Sequence, residues 1–390
     1  MSSSESEAVI GSARATPGPA RIEELPPLPA EAVSVADRFV ARIGRRLLHA
    51  PSWFRLCLSG RPQVRIDGHK LDPGIQLALR LLRLRGAATL VPDSRRGSPD
   101  VADTRARVRR TAAAFTLDKT EVGGVRDIEI AGAHGPLRAR HYRPLPSSTS
   151  DTPPLLVFFH GGGYVLGDVN THDEPCRMLC RYAEVQVLSV DYRLAPEHPF
   201  PAGVDDALAA FRWGVAHASA LGADADRVAV GGDSAGATLS AAVAQITTRV
   251  GGPVPALQLL LYPSADLTEA RTTSDELFAE GFYLTENDRQ WCRGHYLSGA
   301  VNSDGTDPRT SPALAEDLSG LPPTILISAA FDPLRDEDEA YADALRAAGN
   351  RVVLQRMPGL IHGFLNMTVV PSARDAVLQI TGMLRAGLAV

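Results

Sequence analysis

Residues 227–247 read RVAVGGDSAGATLSAAVAQIT. An apolar, β-branched run enters a glycine-flanked serine, and a run of small residues with helical character leaves it. Residues 232–236, Gly-Asp-Ser-Ala-Gly, fit the pattern G-x-S-x-G. A sharp strand-to-helix turn at this point strains the serine backbone, and the two glycines let neighbouring chains approach. Ser234 Oγ then projects above a sheet at a helix N-terminus, where partial positive charge favours a developing anion. The plainer reading is an ordinary connection carrying an incidental serine, and the flanking pattern argues against it.

Working outward, strand-like segments are expected at 127–130, 138–142, 155–159, 185–190, 227–231, 257–262, 324–330 and 351–357. Helical patterns fall between them at 174–182, 205–218, 235–247 and 337–348. Strands apolar on both faces, alternating with helices, imply an α/β class with a mostly parallel central sheet flanked by helices. The interval 266–321 is too long for a simple crossover and reads as an insertion beside the site. Its Phe278, Phe282, Tyr283 and Trp291 either line a pocket or form the insertion's own core.

The N-terminal third differs. Residues 1–31, rich in Ser, Glu, Ala and Pro, read as a disordered tail. Residues 32–120 read as a helical region, with runs near 35–47, 72–84 and 100–115. Val35, Phe39, Ile43 and Leu47 recur at four-residue steps as an apolar stripe. Residues 121–390 form the remaining unit, which includes the insertion.

The 390 residues are 44% hydrophobic and 22% charged, which excludes a fully disordered chain, a coiled coil and a collagen-like fibre. No apolar run is long enough to span a bilayer, and the N-terminus lacks a basic start followed by an apolar block, so a cytoplasmic location is expected. The net charge of −5 is uneven: residues 38–110 hold 17 Lys/Arg against 5 Asp/Glu. That segment is solvated, compensated by the acidic remainder, or a contact for a peripheral membrane surface. No nucleic-acid motif accompanies it. Cys176 and Cys180 share a helix face without further ligands and read as a buried thiol pair.

The chemistry-bearing residues follow the strands. His160-Gly161-Gly162-Gly163 comes directly after 155–159 and leaves backbone N–H groups unshielded, as an oxyanion hole requires. A phosphate-binding loop is the alternative, but the spacings of such loops are absent. A serine nucleophile needs a base and an orienting acid, here in the order Ser, Asp, His. Downstream of Ser234 only His295 and His362 are available. His295 lies inside the insertion, whereas His362 follows the last strand. Asp332 is the first acid after 324–330, and Asp336 suits a cap or a partner for Arg335.

These residues, with the run DYRLAPEHP at 191–199, DPLRD at 332–336 and His362-Gly363-Phe364, resemble the hormone-sensitive lipase family of α/β-hydrolases. The similarity is greatest to actinobacterial carboxylesterases with an extended N-terminal region. It implies an α/β-hydrolase fold with a helical cap built from 32–120 and 266–321. It implies Ser234 as nucleophile, His362 as base, Asp332 as its orienter, and Gly161, Gly162 and Ala235 as oxyanion donors. His160 would anchor the glycine loop, and Glu197 would at most brace the site. A homodimer through the strand near 351–357 is also implied.

The expected function is hydrolysis of short- to medium-chain acyl esters through an acyl-enzyme intermediate. Alternatives are a long-chain lipase acting at an interface and a catalytically silent small-molecule receptor; the filled triad argues against the latter. The expected partner is a small-molecule ester, not nucleic acid. No metal and no organic cofactor is expected, because the histidines form no H-E-x-x-H-type set.

Overall fold

The structure is a computed structural model that describes residues 22–29, 35–92, 99–116, 119–146, 152–300 and 304–389. Most of the expected tail, residues 1–21, lies outside the described residues. The remainder corrects the expectation. Strand β1 (Glu24–Leu25) pairs antiparallel with Ile128 and Asp127 at the edge of the main sheet. The short segment is held to the sheet by hydrogen bonds, with Ile22 packed against the main core. The Asp127 carboxylate accepts the Leu28 N–H at 3.1 Å, and Arg138 Nη1 donates to the Pro26 carbonyl at 2.8 Å.

The three expected N-terminal helices form as α1 (Val35–Leu48), α3 (Pro73–Leu84) and α4 (Val101–Phe115). Between the first two lie a helix not anticipated, α2 (Ser52–Ser59), and a hairpin of β2 (Arg65–Ile66) and β3 (His69–Lys70). Asp72 caps α3 by accepting from Gly74 N–H at 2.7 Å and Ile75 N–H at 3.1 Å, with Pro73 at the first helical position. On α1, Leu47 of the expected stripe packs against the core beside buried Leu48, whereas Ile43 is 43% exposed. The side chains of Val35 and Phe39 lie outside the described set.

Antiparallel β4 (Gly124–Gly132) and β5 (Gly135–Arg143) lead into β6 (Leu155–Phe159). Then follow α5 (Asp173–Ala183), β7 (Gln186–Val190), α6 (Ala202–Leu221), β8 (Val228–Asp233), α7 (Ala235–Val250) and β9 (Gln258–Leu261). The insertion supplies α8 (Thr273–Phe278) and α9 (Glu286–Tyr296). The chain closes with β10 (Thr324–Phe331), α10 (Arg335–Ala347), β11 (Val352–Ile361) and α11 (Pro371–Gly387). Sheet order is β1-β4-β5-β7-β6-β8-β9-β10-β11, and the strands from β7 to β11 run parallel. Every residue of β6 to β10 is buried, as expected for strands covered on both faces. β11 is the outer strand, and its Val353 is 53% exposed.

This order brings four strand ends together. His160, Ser234, Asp332 and His362 are each the first residue after β6, β8, β10 and β11. Helix α7 lies so close to β6 that a Cβ on Gly236 would collide with the Phe159 carbonyl oxygen. Gly236→Ala is therefore expected to lose about 1–3 kcal/mol or more of stability through overpacking against rigid backbone. Urea unfolding of the variant beside wild type measures this.

Candidate active site

Ser234 stands between β8 and α7 at φ 54°, ψ −125°, which for a non-glycine residue is strained. Its amide donates to the Leu261 carbonyl at 2.8 Å, and its carbonyl accepts from Ala237 N–H at 2.9 Å. The His362 ring is aimed at it: Nε2 lies 2.9 Å from Ser234 Oγ. On the other side, Nδ1 lies 2.8 Å from Asp332 Oδ2. Asp332 is wholly buried, and its second oxygen accepts from Leu334 N–H at 2.9 Å. The Tyr262 ring meets the imidazole edge-on at 4.8 Å and limits its rotation. The three residues read from the sequence are thus joined in one chain of hydrogen bonds. His295 is elsewhere, bonded to the Trp291 carbonyl on α9. Asp336 pairs with Arg335 and accepts from Ser274 N–H.

The glycine loop corrects one expectation. The Gly161 N–H is donated to Asp233 Oδ1 at 2.9 Å, so it is not available to a bound oxyanion. Among the described residues, no protein group takes the N–H of Gly162, Gly163 or Ala235, and all three residues line the cavity at Ser234. The N–H groups at the cavity that no other protein group takes are thus those of Gly162, Gly163 and Ala235, and Gly161 is not among them. Gly162 and Gly163 have φ of 124° and 60°, conformations that turn the loop as a bulkier residue could not.

The cavity over Ser234 has a volume of about 130 Å³. Its floor is the glycine loop, Ser234 and His362; its walls come from α4 (Val108, Thr111, Phe115) and the insertion (Tyr283, Leu284, Cys292). The two expected cap pieces meet here. Thr89 bridges to Tyr283, and Val91 N–H donates to Asp288 at 2.6 Å. Of the four candidate aromatics only Tyr283 lines the cavity. Phe278 and Phe282 pack on Phe331 at 5.6 Å each, and Trp291 stacks near His295 at 4.4 Å. Among the described residues, no group of three His, Cys, Asp or Glu side chains is placed to hold a metal.

The family model described as alpha/beta hydrolase fold matches residues 156–366. The chain is 49% identical over 334 residues to the carboxylic ester hydrolase LipN of Mycobacterium tuberculosis, covering 84% of this chain and 86% of that protein. This chain belongs to the hormone-sensitive lipase family of α/β-hydrolases. It is also 33% identical over 322 residues to an ethyl acetate hydrolase of Pseudomonas putida, covering 82% and 99% of the two chains. The solved hyperthermophilic esterase of Pyrobaculum calidifontis superposes with a TM-score of 0.70 at 40% identity, covering 74% and 93%. The chain is accordingly a hydrolase of the carboxylesterase type.

Two side chains of this hydrolase that the sequence did not single out hold the loop. Asp233, the variable position of the pentapeptide, is buried together with His172 from the start of α5. His172 Nε2 lies 3.1 Å from Asp233 Oδ1, and Nδ1 lies 2.9 Å from Thr171 Oγ1. Burial pushes the Asp233 carboxyl up, but the His172 charge and its hydrogen bond, with the Gly161 N–H, hold it below the usual carboxylate range. Burial likewise opposes the His172 charge, and Asp233 overcomes it, so His172 is raised. The neighbouring His160 is instead pushed down to about 4 by burial and by His172 beside it. Neutral His160 stacks on Tyr192 at 4.5 Å, and the Tyr192 hydroxyl donates to the His160 carbonyl at 2.7 Å. Glu197 lies apart from the site, in a two-toothed pair with Arg105 at 2.7 and 2.8 Å.

Replacing Asp233 by Ala leaves the buried Gly161 N–H without its acceptor and takes from His172 the carboxylate that favours its protonation. The variant is expected to lose kcat by about 10–100-fold as the loop shifts its remaining donors. Asp233→Asn, which keeps an acceptor for Gly161, should lose less. Steady-state kinetics on a soluble ester, with thermal unfolding of both proteins, separates loop misplacement from general destabilisation.

Proposed function

We propose that this carboxylesterase works through a serine nucleophile and an acyl-enzyme intermediate on short- to medium-chain acyl esters. The observation that carries the reading is the continuous Ser234–His362–Asp332 hydrogen-bonded chain on a strained strand-to-helix turn, facing a small apolar cavity. Ser234 Oγ attacks the acyl carbonyl while His362 Nε2 takes the hydroxyl proton. Asp332 holds the Nδ1–H tautomer and stabilises the imidazolium. The N–H groups of Gly162, Gly163 and Ala235 receive the carbonyl oxygen as it becomes negative. Collapse of the tetrahedral intermediate releases the alcohol, which takes the proton from His362. Water then enters, is deprotonated by His362, and frees the acid and Ser234.

The cavity of about 130 Å³ supports a small acyl group, as does the likeness to a relative named as an ethyl acetate hydrolase. The basic N-terminal segment is partly compensated internally. Arg105 pairs with Glu197 and the carbonyls of Val165 and Ala195, and Arg107 binds the Gly86 and Thr89 carbonyls. Among the described residues no helix is long and apolar enough to cross a membrane.

Hydrolysis of p-nitrophenyl esters from acetate to palmitate by wild type and Ser234→Ala tests the reading. Wild type should favour the shorter esters, and Ser234→Ala should lose about 10⁴-fold or more in kcat. A p-nitrophenyl phosphonate should add one covalent group to wild type, located on Ser234 by mass spectrometry, and none to the variant. A wild type inert on every ester, or a variant that stays active, overturns the assignment.

A further inference from the structure

Behind the active-site cavity lies a second, larger one. It has a volume of about 530 Å³, roughly four times that over Ser234, and it sits between α1, α3 and α4. Leu47 and Leu48 from α1 and Ala78, Leu81 and Leu82 from α3 give it an aliphatic lining, which Arg45, Arg85, Arg107 and Arg110 also border. At its mouth Ile43 is 43% exposed and Leu84 is 72% exposed, so apolar surface continues to the outside.

The two cavities share a wall. Thr111 and Phe115 line both, and they lie one helical turn apart on α4. Phe115 is the last residue of that helix and is only half-buried. Phe115 thus borders both the cavity over Ser234 and the outer apolar space. Ala114, by contrast, lines the outer cavity alone. Burying a hydrocarbon chain in the outer space would remove its apolar surface from water. A chain attached to a carbonyl at Ser234 reaches it only past Phe115 and Thr111.

We propose that Phe115 is the partition setting how long a chain the enzyme accepts, and that the cavity between α1, α3 and α4 takes the end of an ester's hydrocarbon chain long enough to pass it. The inference rests on the ester-hydrolase reading and adds the substrate's dimension to it. Removing the ring joins the two spaces. Filling the outer space closes them again without touching the inner one.

The experiment measures kcat/KM for two substrate series. In one the acyl chain of a p-nitrophenyl ester grows from acetate to dodecanoate; in the other the alcohol of an acetate ester grows to the same lengths. In Phe115→Ala the ratio of long- to short-chain kcat/KM is expected to rise at least about tenfold in one series, which identifies the chain that enters. Adding Ala114→Trp, or Leu81→Trp should the first fold poorly, is expected to return the ratio to the wild-type value. A ratio unchanged by Phe115→Ala in both series overturns the proposal. So does a rise that survives both filling substitutions, since the gain then arises in the inner cavity alone.

Wild-type turnover of short esters upholds the ester-hydrolase reading whichever way the ratio moves. Should wild type be inert, that reading falls, and chain binding is read directly. Calorimetric titration of Ser234→Ala with dodecanoate should give binding that Ala114→Trp weakens about tenfold. Equal affinity in both proteins overturns the site.

Discussion

A serine at φ 54°, ψ −125° is the constraint on which the site depends. Such a backbone costs about 1–3 kcal/mol and persists only where its surroundings over-determine it. Here they do. Asp233 is still in the sheet, opposite Leu261, and Ser234 N–H is held by the Leu261 carbonyl. Two residues later Gly236 is pressed against the β6 backbone. The chain must reverse from strand to helix between these fixed points, and the serine side chain is driven out toward the cavity. The same closeness of α7 and β6 sets the glycine loop beside Ser234, because that loop leaves the end of β6.

The loop is then held by a buried carboxylate and its partners. Asp233 and His172 compensate one another, and the carboxylate takes the first N–H of the glycine loop. A buried ion pair is costly to assemble and more costly to break, which makes it a rigid support once formed. The nearby His160 is kept neutral by the same burial and serves as a flat surface against Tyr192. The backbone donors that face a reacting carbonyl are thus positioned by groups that never touch it.

The N-terminal third is basic in sequence, and several of its arginines are turned toward their own protein. Arg105 clamps α4 to the loop after β7, Arg107 holds the 86–89 turn, and Arg80 binds the Ser59 carbonyl. These contacts place α4 over the cavity with Thr111 and Phe115 facing it. Arg105 and Arg107 thereby hold a helix at the wall of an apolar space.

Much of this was legible in one dimension. The alternation of buried strands and helices follows from apolar segments too long to be exposed, and the first residues after four strands were the chemical ones because parallel strands end on one side of a sheet. Ser234, Asp332 and His362 needed nothing more than strand ends and chain order. What depends on which atoms meet was not legible. Gly161 and Gly163 are indistinguishable in the string HGGG, and only the approach of Asp233 takes the first N–H out of use. Phe278, Phe282 and Trp291 look as suited to a pocket as Tyr283, yet they fill space against Phe331 and His295. The short segment Glu24–Leu25 becomes a strand because an open sheet edge supplies its partners. Local sequence carries periodicity and order; hydrogen-bond ownership and cavity lining belong to residues far apart in the chain, and tertiary packing alone brings those together.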